Sequence, residues 1–171
     1  AYAYYILSLY YSGKSNQALE VIETAMNLHE LLVRPIGLRF LSRKVARVYL
    51  YLNNNEETLR IYKQYLGDDK SPEALAIQVI ASFHLGKLEE GNLILKEMEA
   101  QAEESSFGSP SYYIAMINAQ IGEIETAFEW LEKAYQDHEV EMYWLKVEPL
   151  FESLRGDPRW QQMLDKVGFP E

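Results

Sequence analysis

Arg43 and Arg47 are the side chains whose types and spacing point most directly to recognition chemistry. Four residues apart on a helix, they share one face, and their mutual repulsion is tolerable where an anion visits them. The remaining reactive residues are scattered. His29, His84 and His138 lie 55 and 54 residues apart, and none belongs to an H-E-x-x-H or H-x-H arrangement. His29-Glu30 and His138-Glu139 are chain neighbours, which do not face each other on a helix. Acid pairs at Glu56-Glu57, Asp68-Asp69, Glu89-Glu90 and Glu103-Glu104 could in principle divide acid and base roles. Their places at helix ends and first turns suit the helix dipole or water instead. No G-x-x-x-x-G-K-[ST] or G-x-G-x-x-G segment cradles a phosphate. The absence of cysteine removes disulfides, thiolate zinc sites, iron–sulfur clusters and a thiol nucleophile together. The expectation is therefore no catalytic residue, no metal and no cofactor.

The elements that carry these residues are helical. The chain has 171 residues, 48% of them apolar and 25% charged, which suits one folded domain. Its net charge of −10 argues against nucleic acid, whose binding draws on Lys and Arg at phosphates. The same charge disfavours an anionic membrane surface. No run approaches the roughly 18 apolar residues a membrane span needs, and no secretory leader is visible. Residue 1 opens into the apolar run Ala1–Tyr11 without an initiator Met, which reads as the continuation of a longer chain. The cytoplasm is the expected compartment, with a periplasmic or other extracytoplasmic site left open.

Four segments repeat: Gly13-Lys-Ser-Asn-Gln-Ala18, Asn53-Asn-Asn-Glu-Glu-Thr58, Gly86-Lys-Leu-Glu-Glu-Gly91 and Gly122-Glu-Ile-Glu-Thr-Ala127. Their starts are 40, 33 and 36 residues apart. Each opens with a residue able to end a helix in the left-handed conformation. Each closes with a small residue that lets the next helix pack closely. Apolar residues follow four later, at Ile22, Tyr62, Leu95 and Leu131. Ser71-Pro72, Ser109-Pro110 and Asp157-Pro158 each place a capping side chain before a first-turn proline. The pattern predicts helices near 2–12, 16–32, 38–52, 56–66, 72–85, 88–104, 110–121 and 124–137. Arg34-Pro35-Ile36-Gly37 and Ser105-Ser106-Phe107-Gly108 are the expected inter-repeat turns.

A period near 34, with Val45-Ala46-x-x-Tyr49 and Ile114-Ala115 upstream of the turns, resembles the tetratricopeptide repeat. The resemblance covers about residues 1–139 and implies an all-α solenoid of about four helical hairpins, near 1–34, 38–70, 71–106 and 109–139. The second repeat lacks both its Gly and its closing Ala, and the third has Gln78-Val79 for Leu-Gly, so irregular packing is expected there. Residues 140–171 carry no repeat and are expected to form a capping segment with Trp144 and Trp160 buried. That tail is similar to the segment closing such arrays in some bacterial multidomain regulators, linked to nucleotide-cyclase, winged-helix or kinase domains. The resemblance thus implies a scaffold or signalling role within a larger protein.

In this family the first helix of each hairpin lines a concave groove. Carried over by position, the resemblance implies a binding face containing Tyr10, Arg43, Arg47, Tyr51, Phe83, His84, Tyr112 and Met116. Aromatics and Arg dominate interface hot spots. The same aromatic stripe also fits ordinary helix–helix core. The matching places hold Ala3, Leu7, Arg43, Arg47, Leu50, Tyr112 and Met116, without the Lys and Asn that clamp a terminal carboxylate, so that subclass is not expected. The reading is a non-catalytic module that binds a protein or peptide, with an acidic partner favoured. The alternatives are a structural or homodimerising segment, or a small-molecule sensor.

Overall fold

The computed structural model describes residues 2–32, 35–105 and 107–169, with backbone alone at 29–32, 35 and 36. Every regular element among them is helical. The chain forms two compact units, Ala1–Lys70 and Ser71–Glu171. Within the first, α1 (Tyr2–Tyr11) pairs with α2 (Ser15–Leu32), and α3 (Pro35–Tyr51) pairs with α4 (Asn55–Ile61). A π-helical turn, Tyr62–Leu66, continues α4. Within the second, α5 (Pro72–His84) pairs with α6 (Leu88–Glu104) and α7 (Pro110–Ile121) with α8 (Ile124–Gln136). Two 3₁₀ segments, Val140–Val147 and Pro149–Leu154, lead to α9 (Pro158–Val167).

The four expected turns share one geometry. Gly13, Asn53, Gly86 and Gly122 have φ of 73°, 56°, 74° and 87°. After each, the next amide reaches back five residues: Lys14 to Leu9, Asn54 to Tyr49, Lys87 to Ser82 and Glu123 to Asn118, at 2.9–3.0 Å. This left-handed closure satisfies carbonyls that a helix end leaves open. Five residues after each turn residue the small side chain is buried, at Ala18, Thr58, Gly91 and Ala127. A methyl group on Gly91 would sit 3.2 Å from the Phe83 ring, which explains a glycine inside a helix. Thr58 is accommodated because its hydroxyl donates to Asn54 O at 2.9 Å. The second and third hairpins thus turn as the others do, and the second carries a π turn. Asn54 caps α4 by accepting from the Glu57 amide at 3.2 Å.

Two expected caps differ. The hydroxyls of Ser71 and Ser109 make no cap bond to their helices. Ser109 has φ 60° and its hydroxyl donates to Glu141. The α7 amides are held by a distant carboxylate instead: Glu139 accepts from Ser111 N at 3.0 Å and Tyr112 N at 2.7 Å. Asp157 does cap α9, accepting from Arg159 N at 2.9 Å. Helix α3 begins at Pro35 rather than near residue 38. Arg34 and Ser106, in the two expected inter-repeat turns, lie outside the described residues.

The tail packs as a core element. Gln120 donates to Leu150 O at 2.6 Å and the Ser153 hydroxyl to Ala119 O at 2.9 Å. Phe151 is buried edge-on against Tyr112, with ring centroids 5.3 Å apart, and Trp160 lies 5.9 Å from Phe151. Trp144 corrects the expectation of burial, being 52% exposed. In a 3₁₀ segment residues three apart eclipse, so Met142 and Leu145 fill the buried edge while Tyr143 and Trp144 fall on the others. The tail also keeps the repeat offset. Arg159 and Lys166 bond Glu125 and Glu132, each 34 residues earlier, so α9 runs alongside α8 in the same direction.

Candidate functional site

The expected site residues of the first unit converge on α1 and α3. Tyr10, Tyr11 and Tyr51 form a ring cluster with centroids 4.9–6.2 Å apart, and the Tyr11 and Tyr51 hydroxyls share a hydrogen bond of 3.3 Å. The Arg47 guanidinium lies over the Tyr51 ring at 5.7 Å, and Arg43 lies over Phe40 at 5.9 Å. Both arrangements place a cation on a negative aromatic face. Arg47 and Tyr51 are one turn apart on α3, as are Arg43 and Phe40, so helical spacing makes these contacts. The cluster reaches solvent at Tyr11, and exposed Tyr4 packs on the Phe40 ring with centroids 5.7 Å apart.

The two arginines are largely covered. Arg47 is 8% exposed. Arg43 donates to Asp69 at 3.4 Å, and Arg39 donates to Asp68 at 2.5 Å. The Asp68-Asp69 pair therefore supplies anions to α3 from within the same unit. Lys44, 5.6 Å from the Phe40 ring, is a further cation of this face that the sequence reading passed over. Its position four residues after Phe40 was the available signal.

In the second unit the expected residues divide. Phe83 is half-buried against Gly91 and His84 is exposed at the end of α5. Tyr112 and Met116 are corrected to core positions, at 0% and 2% exposure. The physical reason is the tail, whose Phe151 ring covers Tyr112. Among the described residues no group of three His, Asp or Glu side chains is arranged to hold a metal, and the His29 side chain lies outside them. No described helix is long and apolar enough to cross a membrane.

Glu139 is a buried carboxyl of the second unit. Burial pushes it above its ordinary range, against the downward pull of the Tyr112 and Ser111 amides. Asp157 is held down to about 2 by the Arg159 guanidinium. Arg159 also forks onto Glu125 at 2.6 and 2.9 Å and lies 4.3 Å over the Phe128 ring. These groups clamp elements of the fold to one another.

Comparison of the chain with protein-family models, with curated proteins and with solved structures found no match.

Proposed function

We propose that this chain is a tetratricopeptide-like array of helical hairpins acting as a non-catalytic interaction module within a larger regulatory protein. Its partner face is the aromatic surface of α1 and α3, and its partner is a peptide, helix or neighbouring domain carrying carboxylates. Support for the array comes from the shared left-handed closure after Gly13, Asn53, Gly86 and Gly122 and the buried small residue five positions on. The observation that carries the binding reading is the Tyr10, Tyr11 and Tyr51 cluster with Arg47 over Tyr51. Tyrosines give large buried area at small entropic cost, and nearby cations set register. Exposed ion pairs contribute about 0.2–1 kcal/mol each, so the rings dominate affinity.

The test is selection of peptides from a random library against the chain, followed by titration of the best binders. Tyr11→Ala should weaken them about tenfold or more, and Arg43→Gln by less. Binders indifferent to Tyr11→Ala and Tyr10→Ala would move the face elsewhere.

A self-associating segment is the second reading, favoured by the exposed apolar edge of Val140, Tyr143, Trp144 and Val147. Sedimentation of the wild type beside Trp144→Ser distinguishes it, since only self-association through that edge is lost in the variant.

A further inference from the structure

A second surface in the first unit has chemistry opposite to that of the α1/α3 face. It is a groove of about 580 Å³ between α2 and the α4–π segment. Its floor is apolar, with Ile22, Met26 and Ile61 buried and Leu19 half-exposed. Tyr49 and Tyr65 form its partly exposed sides. The π turn shapes it. Five residues per bond-closing turn shift the side chains after Ile61, so Tyr62 and Leu66 point inward while Gln64 and Tyr65 stand at the rim. Such turns recur at functional positions.

The polar groups of the rim are ordered. Arg60 forks onto Glu57 at 2.6 and 2.8 Å and donates to Gln64 at 2.8 Å, and Gln64 donates to the Tyr65 hydroxyl at 2.8 Å. The charge of Arg60 is thus neutralised by Glu57. Glu20 and Glu23, one turn apart on the exposed side of α2, leave the rim net negative. Burial raises the Tyr49 phenol above its ordinary value, with Glu57 and Glu23 pushing the same way and Arg60 opposing them.

We infer that the α2/α4 groove docks a basic amphipathic helix of a partner protein, its apolar face on Leu19, Tyr49 and Tyr65 and its Lys or Arg residues at Glu20 and Glu23. An apolar floor between two helices suits the helix-in-groove mode, and the acidic rim selects a basic ligand. Apart from Tyr49 of α3, its lining residues lie on α2, α4 and the π turn, away from the rings of the α1/α3 face.

The probe is a synthetic peptide of about 18 residues, long enough to form a helix, with Leu on one face and Lys on the other. A second peptide replaces Lys by Glu. Binding to the whole chain is followed by fluorescence anisotropy. The Leu/Lys peptide should bind through the groove, whereas any binding of the Leu/Glu peptide, which suits the α1/α3 face, should not be weakened by Glu20→Lys with Glu23→Lys. Glu20→Lys with Glu23→Lys should weaken the Leu/Lys peptide about tenfold, and Leu19→Ser should also weaken it. Glu97→Lys with Glu104→Lys, on α6, makes the same change in net charge and should leave binding within about twofold. Circular-dichroism melts check that each variant folds. Equal loss in both double variants, or no loss in the groove variant, overturns the proposal. Self-association of the peptide-free wild type that Glu20→Lys with Glu23→Lys abolishes also overturns it, by making the occupant a second copy.

Discussion

Glu139 accepts a hydrogen bond from the amide of Tyr112 at 2.7 Å, although the two residues are 27 positions apart. With the Ser111 amide at 3.0 Å, this carboxylate closes the first turn of α7 from the far side of the α7–α8 hairpin. The cap stands at the point where the tail begins, so the start of one helix and the docking of the following segment are coupled.

Replacement of Glu139 by Ala should destabilise the chain by about 1–3 kcal/mol, because buried α7 amides lose their acceptor. The pH dependence has a definite sign. Burial raises the folded-state pKa above the unfolded value, so the native state holds this proton more tightly. The associated stability is fully present below the unfolded carboxylate pKa and is lost as pH rises through the raised value. Glu139→Gln removes that term. Urea melts across the range from below the ordinary carboxylate pKa to neutrality should show wild type losing ground to Glu139→Gln as pH rises.

Gly122→Ala should cost about 1 kcal/mol in a denaturant melt, entirely through backbone conformation. Its φ is 87° and an added Cβ meets nothing within 4 Å. Gly156 also has open space around it but no positive φ, so Gly156→Ala should be neutral or stabilise by about 0.4–1 kcal/mol. Equal effects at the two positions would remove the left-handed closure as the reason for the glycine.

Ala127→Leu should destabilise by about 1–3 kcal/mol, since the residue is fully buried in the closely packed α7–α8 hairpin. Glu125→Ala, two residues away, should have a small effect and not a silent one. Its carboxylate is exposed but receives the Arg159 fork, an ion pair weakened by solvent screening. The same melts measure both.

The tryptophans should separate in accessibility. Acrylamide should quench Trp144 readily in a Trp130→Phe, Trp160→Phe background, and Trp160 poorly in the corresponding single-tryptophan chain. Trp160→Ala should cost about 3–5 kcal/mol by emptying the site beside Phe151, whereas Trp144→Ser should change stability by under about 0.5 kcal/mol.

Helix order and hairpin turns were legible in the amino-acid sequence because they rest on local chemistry. A left-handed residue closes a helix within five positions, and Gly or Asn advertises it, as at Gly13 and Asn53. The small residue at Ala18 or Ala127 follows from the same short register. Even the Asn54–Glu57 cap lies inside one turn. The candidate binding face was legible only as far as helical spacing reaches. Arg43 over Phe40 and Arg47 over Tyr51 are one-turn relationships of the kind that helical spacing allows.

Exposure was decided by tertiary structure. A stripe such as Tyr112 and Met116 reads alike whether water, a partner or the chain itself covers it. The covering residue, Phe151, lies more than thirty positions away and carries no mark of its destination. Trp144 shows the converse, because its exposure depends on whether residues 140–147 wind with three or 3.6 residues per turn, a choice made when Met142 and Leu145 found the core. The α7 cap passed from the adjacent Ser109 hydroxyl to distant Glu139 for the same reason. Local sequence offers candidate partners for each open backbone group, but chain packing determines which one reaches it.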